Sequence, residues 1–248
     1  MGRKARYEQI SYSDNSHYLS QNKLFFALAE QLKIPLLQIS RSAELARMNS
    51  SENHLDTIEN IADTTMQLVD SFLLSTRLHD AGDNLALVPV SLSAMLHDAA
   101  HKMEKNFNGG ICDIELHIAG KYGPIMAHPG GLSAALINLG QAFIEVQAQR
   151  EQTKRPLIKL AAHRTRNGIS AGLFSDIEGL NSDMFSRSKR IYGSSRQPLA
   201  QLSAHNGAGI FIADSLLETM SSGLRVAHHQ KLTGLAATFN PSQQMALV

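Results

Sequence analysis

Apolar positions recur three and four residues apart along residues 21–47: Leu24, Leu28, Leu32, Pro35 and Ile39, with Ala43 and Ala46 beyond them. That spacing predicts one helix carrying a single apolar stripe. Pro35 sits inside the stripe, and a proline removes a backbone donor and bends or breaks an ordinary helix. The pattern therefore predicts a helix that continues through a bend. Residues 1–20 are polar and mixed, either a frayed tail or a lead-in to this helix. A second stripe follows at Leu55, Ile58, Ala62, Thr65, Val69, Phe72 and Thr76. Ser51 is its expected N-cap, with Glu52 in the first turn, and Asp80 to Gly82 its expected end. Two helices joined by so short a break pack antiparallel, as a hairpin over residues 21–82. A hairpin alone leaves its stripe half covered. Pairing with a second copy would make a four-helix bundle, with Leu24, Leu28, Leu32, Ile39, Ile58, Val69 and Phe72 in the dimer seam. Packing on the rest of the same chain is the other solution.

From residue 85 the periodicity changes. Residues 87–90 read as a short edge strand, and Ser91 caps a helix bearing Leu92, Met95, Leu96, Ala99 and Met103, stopped by Gly109-Gly110. Cys112, Ile114, Leu116 and Ile118 alternate with polar residues, a half-buried strand. A short strand around Ile125 and a helix through Leu132, Leu136, Leu139 and Val146 come next. Alternation returns at Ile158, Leu160 and Ala162 and at Ile169, Ala171 and Leu173, with Asn167-Gly168 between them as a hairpin turn. A long polar stretch, residues 175–206, precedes a helix over residues 207–220. Strands at residues 224–226 and 235–239 close the chain. Helices against a mixed or antiparallel sheet make an α/β sandwich over residues 85–248, so the fold class is α+β.

Residues 30–36, EQLKIPL, resemble the H box of sensor histidine kinases, H-E-L-R/K-T/N-P-L. The order of a two-helix unit followed by this sandwich is similar to that family's core over residues 21–240. The resemblance implies a dimerisation hairpin followed by an ATPase-type domain, and it also shows what has been lost. Glu30 stands in the place of the phospho-accepting histidine and Gln31 in that of its acidic neighbour. Ile34 replaces the Thr or Asn. Residues 138–145, NLGQAFIE, resemble the asparagine box N-L-x-x-N-A-x-K: Asn138 is kept, Ala142 stands where the Mg²⁺ ligand belongs, and Glu145 stands where a phosphate-binding lysine belongs. Magnesium wants oxygen ligands, and a methyl group offers none. His128-Pro129 resembles the Asp-Pro before that helix. Residues 175–180, SDIEGL, resemble D-x-G-x-G-I: Asp176 keeps the carboxylate for the adenine amino group, but Glu178 and Leu180 replace glycines, so the base pocket is expected to be narrowed or filled. Asn206-Gly-Ala-Gly209 resembles the glycine turn whose helix N-terminus faces phosphate.

Composition narrows the reading. The formal charge of +1 gives no general argument for nucleic acid, and a single cysteine, Cys112, forms no internal disulfide. No apolar run reaches membrane-spanning length and no signal-peptide pattern opens the chain, so a cytoplasmic protein is expected. His97 and His101 and the pair His228-His229 lack a third ligand, and no metal site is expected. Phosphoryl transfer needs a held nucleotide, a divalent ion and an in-line nucleophile, and all three are degraded here. The expectation is a histidine-kinase-like pseudokinase without a cofactor: Mg²⁺ is not expected, and residual ATP or ADP binding would pass through Asn138, Asp176, Gly207 and Gly209. Its role would be that of a dimeric scaffold binding a response-regulator receiver domain or a partner kinase. Glu30, Lys33, Leu37, Arg41 and Glu44, with Thr76 and Arg77, are the expected contacts. The alternatives are an active histidine kinase or phosphotransferase using His54 or His79, and a small-molecule sensor with an altered pocket.

Overall fold

The computed structural model describes residues 2–48, 53–105, 110–148, 155–194 and 207–242, with side chains from residue 21 onward except those of Asn53 and Asp83. Helix α1 spans Gly2–Met48 and α2 spans Asn53–Ala81. The α1 backbone runs unbroken through Pro35, and residues 2–20 belong to it as a lead-in rather than a frayed tail. Ser51 and Glu52, the expected start of α2, lie outside the described residues. Gly82 takes positive φ and opens a single 3₁₀ turn, Gly82–Asn84, which ends α2 as the sequence predicts.

The sandwich follows as β1 (Val88–Val90), α3 (Leu92–Met103), β2 (Asp113–Ala119), β3 (Ile125–Ala127), α4 (Pro129–Ala148), β4 (Leu157–Thr165), β5 (Gly168–Ser175), α5 (Ser182–Ile191), α6 (Ala208–Glu218), β6 (Arg225–His229) and β7 (Leu232–Phe239). Ser91 caps α3, its side chain accepting from the Ala94 N–H. Gly109 lies outside the described residues. The main sheet has the order β2-β4-β5-β7-β6, parallel between β2 and β4 and antiparallel elsewhere; β1 and β3 form a separate two-stranded ladder. The sheet is therefore mixed.

Strand parity sorts the two faces. Ile158 and Leu160, Ala171 and Leu173, and Leu235 and Phe239 turn inward and join Leu96, Met103, Leu139, Phe143 and Leu216 of the helices in one core. The opposite parity, Ala161, Phe174 and Ala236, forms a small second cluster on the outer face. At Gly234 any Cβ would collide with the Leu173 carbonyl of β5, so this position admits only glycine.

The expected long polar stretch contains a helix the sequence pattern does not announce, α5. Asn181 caps it by accepting from the Met184 N–H, and Phe185 and Ser188 are its buried residues. Three turns with so few apolar positions leave little periodicity to detect.

The larger correction concerns the hairpin. Leu24 and Leu28, expected in a dimer seam, are 4% and 5% exposed and belong to the chain's own core together with Leu68 and Leu78 of α2. Leu32 and Phe72 pack against the same core from the side. Ile39, Ile58 and Val69 are half-buried. The inner face of the hairpin thus docks on α4 and α6, the intramolecular solution. Truncating a buried leucine removes transfer energy and leaves a cavity. Leu28→Ala is expected to lower the unfolding free energy by about 2–4 kcal/mol, whereas the exposed Leu37→Ala changes it by less than about 0.5 kcal/mol. Urea midpoints at two protein concentrations check this, and the Leu28→Ala loss should not depend on concentration.

Candidate functional site

Part of the residues that resemble the kinase motifs meet where α1 reaches the N-terminus of α6. Gly207 adopts the left-handed conformation that opens α6. The first free N–H of that helix, Ala208 N, donates to Gln31 Oε1 at 2.7 Å. A helix N-terminus of this kind attracts anionic oxygen; here a neutral amide from the hairpin occupies it. Gln31 is the residue beside Glu30, which forms a surface ion pair with Lys33 one turn along α1. Such exposed pairs contribute little.

On α4, His128 acts as an N-terminal cap, its Nδ1 accepting from the Gly131 N–H at 3.0 Å. Asn138 is buried, and its Nδ2 donates back to the Ala134 carbonyl of its own helix at 2.8 Å. Its backbone and side-chain oxygens lie 3.6 and 3.7 Å from where a Cβ on Gly209 would sit, so α4 and α6 are in direct contact there. Ala142 is buried, and Glu145 accepts from Gln141 at 2.9 Å.

Residues 175–180 alternate between surface and core. Asp176 is exposed, while Ile177 and Leu180 are buried in the core. Leu180, at the place of the second glycine, is 5% exposed. Gln147, wholly buried near the end of α4, donates to Ser175 Oγ at 2.8 Å and to the Asp176 carbonyl at 3.2 Å. Asn138, Gly207 and Gly209 are thus brought together, and Asp176, at the end of β5, is tied through its carbonyl to Gln147. Asn206 lies outside the described residues.

Between that loop and the glycine turn, α5 is clamped down. Lys189 Nζ lies 2.6 Å from Asp214 of α6, and the Leu224 N–H donates to the same carboxylate at 2.7 Å. Burial, and then Glu218, push Asp214 up to about 6 against the opposing pull of Lys189. Burial opposes the charge on Lys189, but Asp214 and Glu218 outweigh it and raise its ammonium. Tyr192 stacks on Phe211 at 4.4 Å, and Lys23 of α1 donates to the Arg190 carbonyl at 3.1 Å.

The expected receiver contacts split in two. Phe25 of α1 meets Phe72 of α2 at 6.4 Å between ring centroids, and Gln21 reaches Asp80 at 3.5 Å. Thr76 and Arg77 therefore stand beside residues 21–25 of α1, roughly 30 Å along the axis from Arg41 and Glu44 at 1.5 Å per residue. They do not form one site with them. Lys33, Leu37, Arg41 and Glu44 do share an exposed face of α1, with Glu30 half-buried at its edge. The sequence reading passes over Phe26 and Met48, which are exposed at eleven-residue spacing from Leu37 on that face.

His79, an alternative acceptor by sequence, is engaged in packing: its Nε2 lies 2.8 Å from Ser215 Oγ, which is 2.7 Å from Ser75 Oγ. No group of three or more His, Cys, Asp or Glu among the described residues is arranged to hold a metal ion, and no helix among them is long and apolar enough to cross a membrane.

No family model matches the chain, and no curated protein does. Solved structures do match. The Acinetobacter baumannii histidine kinase AdeS superposes with a TM-score of 0.59 at 9% identity, covering 86% of this chain and 98% of that one. The chain has the histidine-kinase fold. Histidine kinase ThkA in complex with response regulator protein TrrA matches at a TM-score of 0.55 and 12% identity, over 96% of this chain and 65% of that one. Full-length ShkA in complex with AMPPNP matches at 0.52 and 16%, over 95% and 46%. Within this histidine-kinase fold, the helical hairpin and the ATPase-type sandwich are both present, and their motif positions are those just described.

One polar cluster of this histidine-kinase fold lies away from the motifs, on the outer sheet face. His117 Nδ1 of β2 and His229 Nε2 of β6 are 2.6 Å apart, His163 lies 6.4 Å from His229 by ring centroids, and the Phe174 ring 5.3 Å. Burial, and then His117, Lys159 and His163, hold His229 below its usual range. A folded-state pKa below the unfolded one means that the unfolded chain takes up the proton first. Stability from this group is full above the unfolded value of about 6.5 and is lost as pH falls below it. In thermal melts from pH 8 to pH 5 the parent is expected to lose stability relative to His229→Asn.

Proposed function

We propose that this protein is a catalytically degenerate, histidine-kinase-like scaffold that docks a response-regulator receiver domain in two-component signalling. The observation that carries the reading is the Gln31–Ala208 hydrogen bond. It puts a hairpin amide on the helix N-terminus that a phosphate would need, beside a glutamate where the acceptor histidine would stand. The ThkA–TrrA complex supports the partner class, since it pairs a protein of this fold with a response regulator.

Exposed apolar positions assign surfaces to the two associations. On α1, Phe26, Leu37 and Met48 recur every eleven residues, about three turns, among Lys33, Arg41 and Glu44. This is the proposed receiver face, apolar at its centre and charged at its rim. Phe25 and Leu36 of α1 and Leu55, Met66 and Leu73 of α2 are a second set of exposed apolar positions, which we assign as a strip for homodimerisation. Homodimerisation through this strip replaces the seam expected from Leu24 and Leu28. Changes on the two faces should separate the two associations.

Titration with Mg-ATP and Mg-ADP is expected to give no heat and no thermal shift. Heat from both, with incorporation of labelled phosphate at His54 or His79, would overturn the pseudokinase reading in favour of an active enzyme. Leu37→Asp should abolish capture of a receiver domain while leaving the mass by light scattering unchanged. Met66→Asp should halve that mass. Undiminished receiver capture by Leu37→Asp would remove the proposed face.

A further inference from the structure

Strands β2 and β6 end the main sheet on its two sides and are not hydrogen-bonded neighbours, yet a side chain from each meets over the outer face. His117 Nδ1 and His229 Nε2 lie 2.6 Å apart, with ring centroids at 4.7 Å and the planes inclined by 61°. These residues are 112 positions apart along the chain, so no spacing motif announces them. His228, next to His229, points to the other side of β6 by strand parity and pairs with Thr233 Oγ1 at 3.2 Å. The partner of His229 comes from β2 instead.

Two ring nitrogens this close share one hydrogen, one ring donating and the other accepting. Both nitrogens are therefore aimed at a single point between the rings. A metal ion at that point requires only a small adjustment. Zinc binds imidazole nitrogen at about 2.0–2.1 Å in a tetrahedral array, which sets two such nitrogens about 3.3 Å apart, about 0.7 Å more than the 2.6 Å of the pair. The donating ring keeps its proton by carrying it to its other nitrogen, so both imidazoles stay neutral, the form that ligates metal. The surroundings favour that form. Burial, and then His117, Lys159 and His163, hold His229 below its usual range, which leaves it neutral at pH 7. The charge of Lys159 is met by Glu115 Oε2 at 3.2 Å, and its ammonium also donates to Gln230 at 3.3 Å. Phe174 packs beside His229, while both histidines are only half-buried and so keep a side toward water.

We propose that His117 and His229 form a two-histidine site for a late first-row divalent ion of the Zn²⁺, Ni²⁺ and Cu²⁺ class, with water in the remaining positions. Imidazole suits these ions, whereas Mg²⁺ and Ca²⁺ prefer oxygen ligands. His163, with its ring centroid 6.4 Å from that of His229, is a neighbour and not a third ligand. An ion bound here would tie β2 to β6 across the outer face and raise the stability of the folded chain by mass action. The site lies away from the glycine turn and from α1, so the inference does not depend on receiver docking or on loss of ATP binding.

Titration of the full chain with zinc chloride near pH 7.5 tests this. Calorimetry is expected to show zinc binding accompanied by a rise in melting midpoint, and magnesium chloride should give neither. Losing even an outer partner of a metal ligand costs roughly tenfold or more in affinity, so His117→Gln and His229→Gln should each weaken zinc by at least about that factor. His228→Gln, on the other side of the same strand, should leave the affinity unchanged. A readout that needs no variant is the nitrogen spectrum of the histidine rings: zinc should shift His117 Nδ1 and His229 Nε2 and leave His228 in place. The proposal is overturned by any of four results: no zinc binding at millimolar concentration, equal binding of magnesium, unchanged zinc affinity in either His117→Gln or His229→Gln, or ring-nitrogen shifts confined to other histidines.

Discussion

The burial of the hairpin's inner face is the constraint on which the rest depends. Leu24, Ala27 and Leu28 of α1 and Leu68 and Leu78 of α2 enter the same core as the helices of the sandwich. At about 1.5–3 kcal/mol for each fully buried leucine, opening this face would cost more than any single polar contact could restore. Within the apolar layer, His79, Ser75 and Ser215 form a hydrogen-bonded cluster joining α2 to α6. Apolar contact supplies the energy of docking, while the cluster fixes its register, because a slipped hairpin would bury those groups unpaired.

With the hairpin fixed there, the motif positions follow as geometry. Gln31 falls on the N-terminus of α6 because α1 crosses that point at that residue. Asn138 satisfies its amide on its own helix. Leu180 and Ile177 turn inward because the glycines that would hold the loop away are absent. At these positions the polar groups are met by internal hydrogen bonds and the apolar ones by packing.

Much of this was legible in the sequence, and the parts that were not have physical causes. Periodicity located the helices of the hairpin, and Ser91 and Asn167-Gly168 marked a cap and a turn. Helix α5 was hidden because three turns with Phe185 as the main buried apolar anchor give no repeating stripe. The fate of Leu24 and Leu28 was hidden for a different reason. A stripe states that a face is buried without stating whether the same chain or another covers it, and only the tertiary packing of α4 and α6 decides. Thr76 and Arg77 lie roughly 30 Å from Arg41 at 1.5 Å per residue, a separation that residue identity does not carry and only the pairing of α1 with α2 fixes. No signal in the sequence pointed to Gln31 as a ligand of α6, since a lone amide on a helix carries no pattern.

The identity of that residue bears on how tightly the two halves hold. A carboxylate at position 31 would meet the α6 N-terminus with full negative charge, and both the helix dipole and a charge-assisted bond would strengthen the contact. Glutamine keeps the acceptor and discards the charge. Pro35 contributes as well, because a proline has no N–H to return to the Gln31 carbonyl one turn back, so this residue is less restrained by its own helix than its neighbours are. The contact between hairpin and sandwich therefore rests on apolar burial that sets its position and on a neutral hydrogen bond of ordinary strength at the N-terminus of α6. An arrangement built this way is closed by default, yet its polar contact at that end is one that a competing ligand or a docking partner could exchange without separating a buried ion pair.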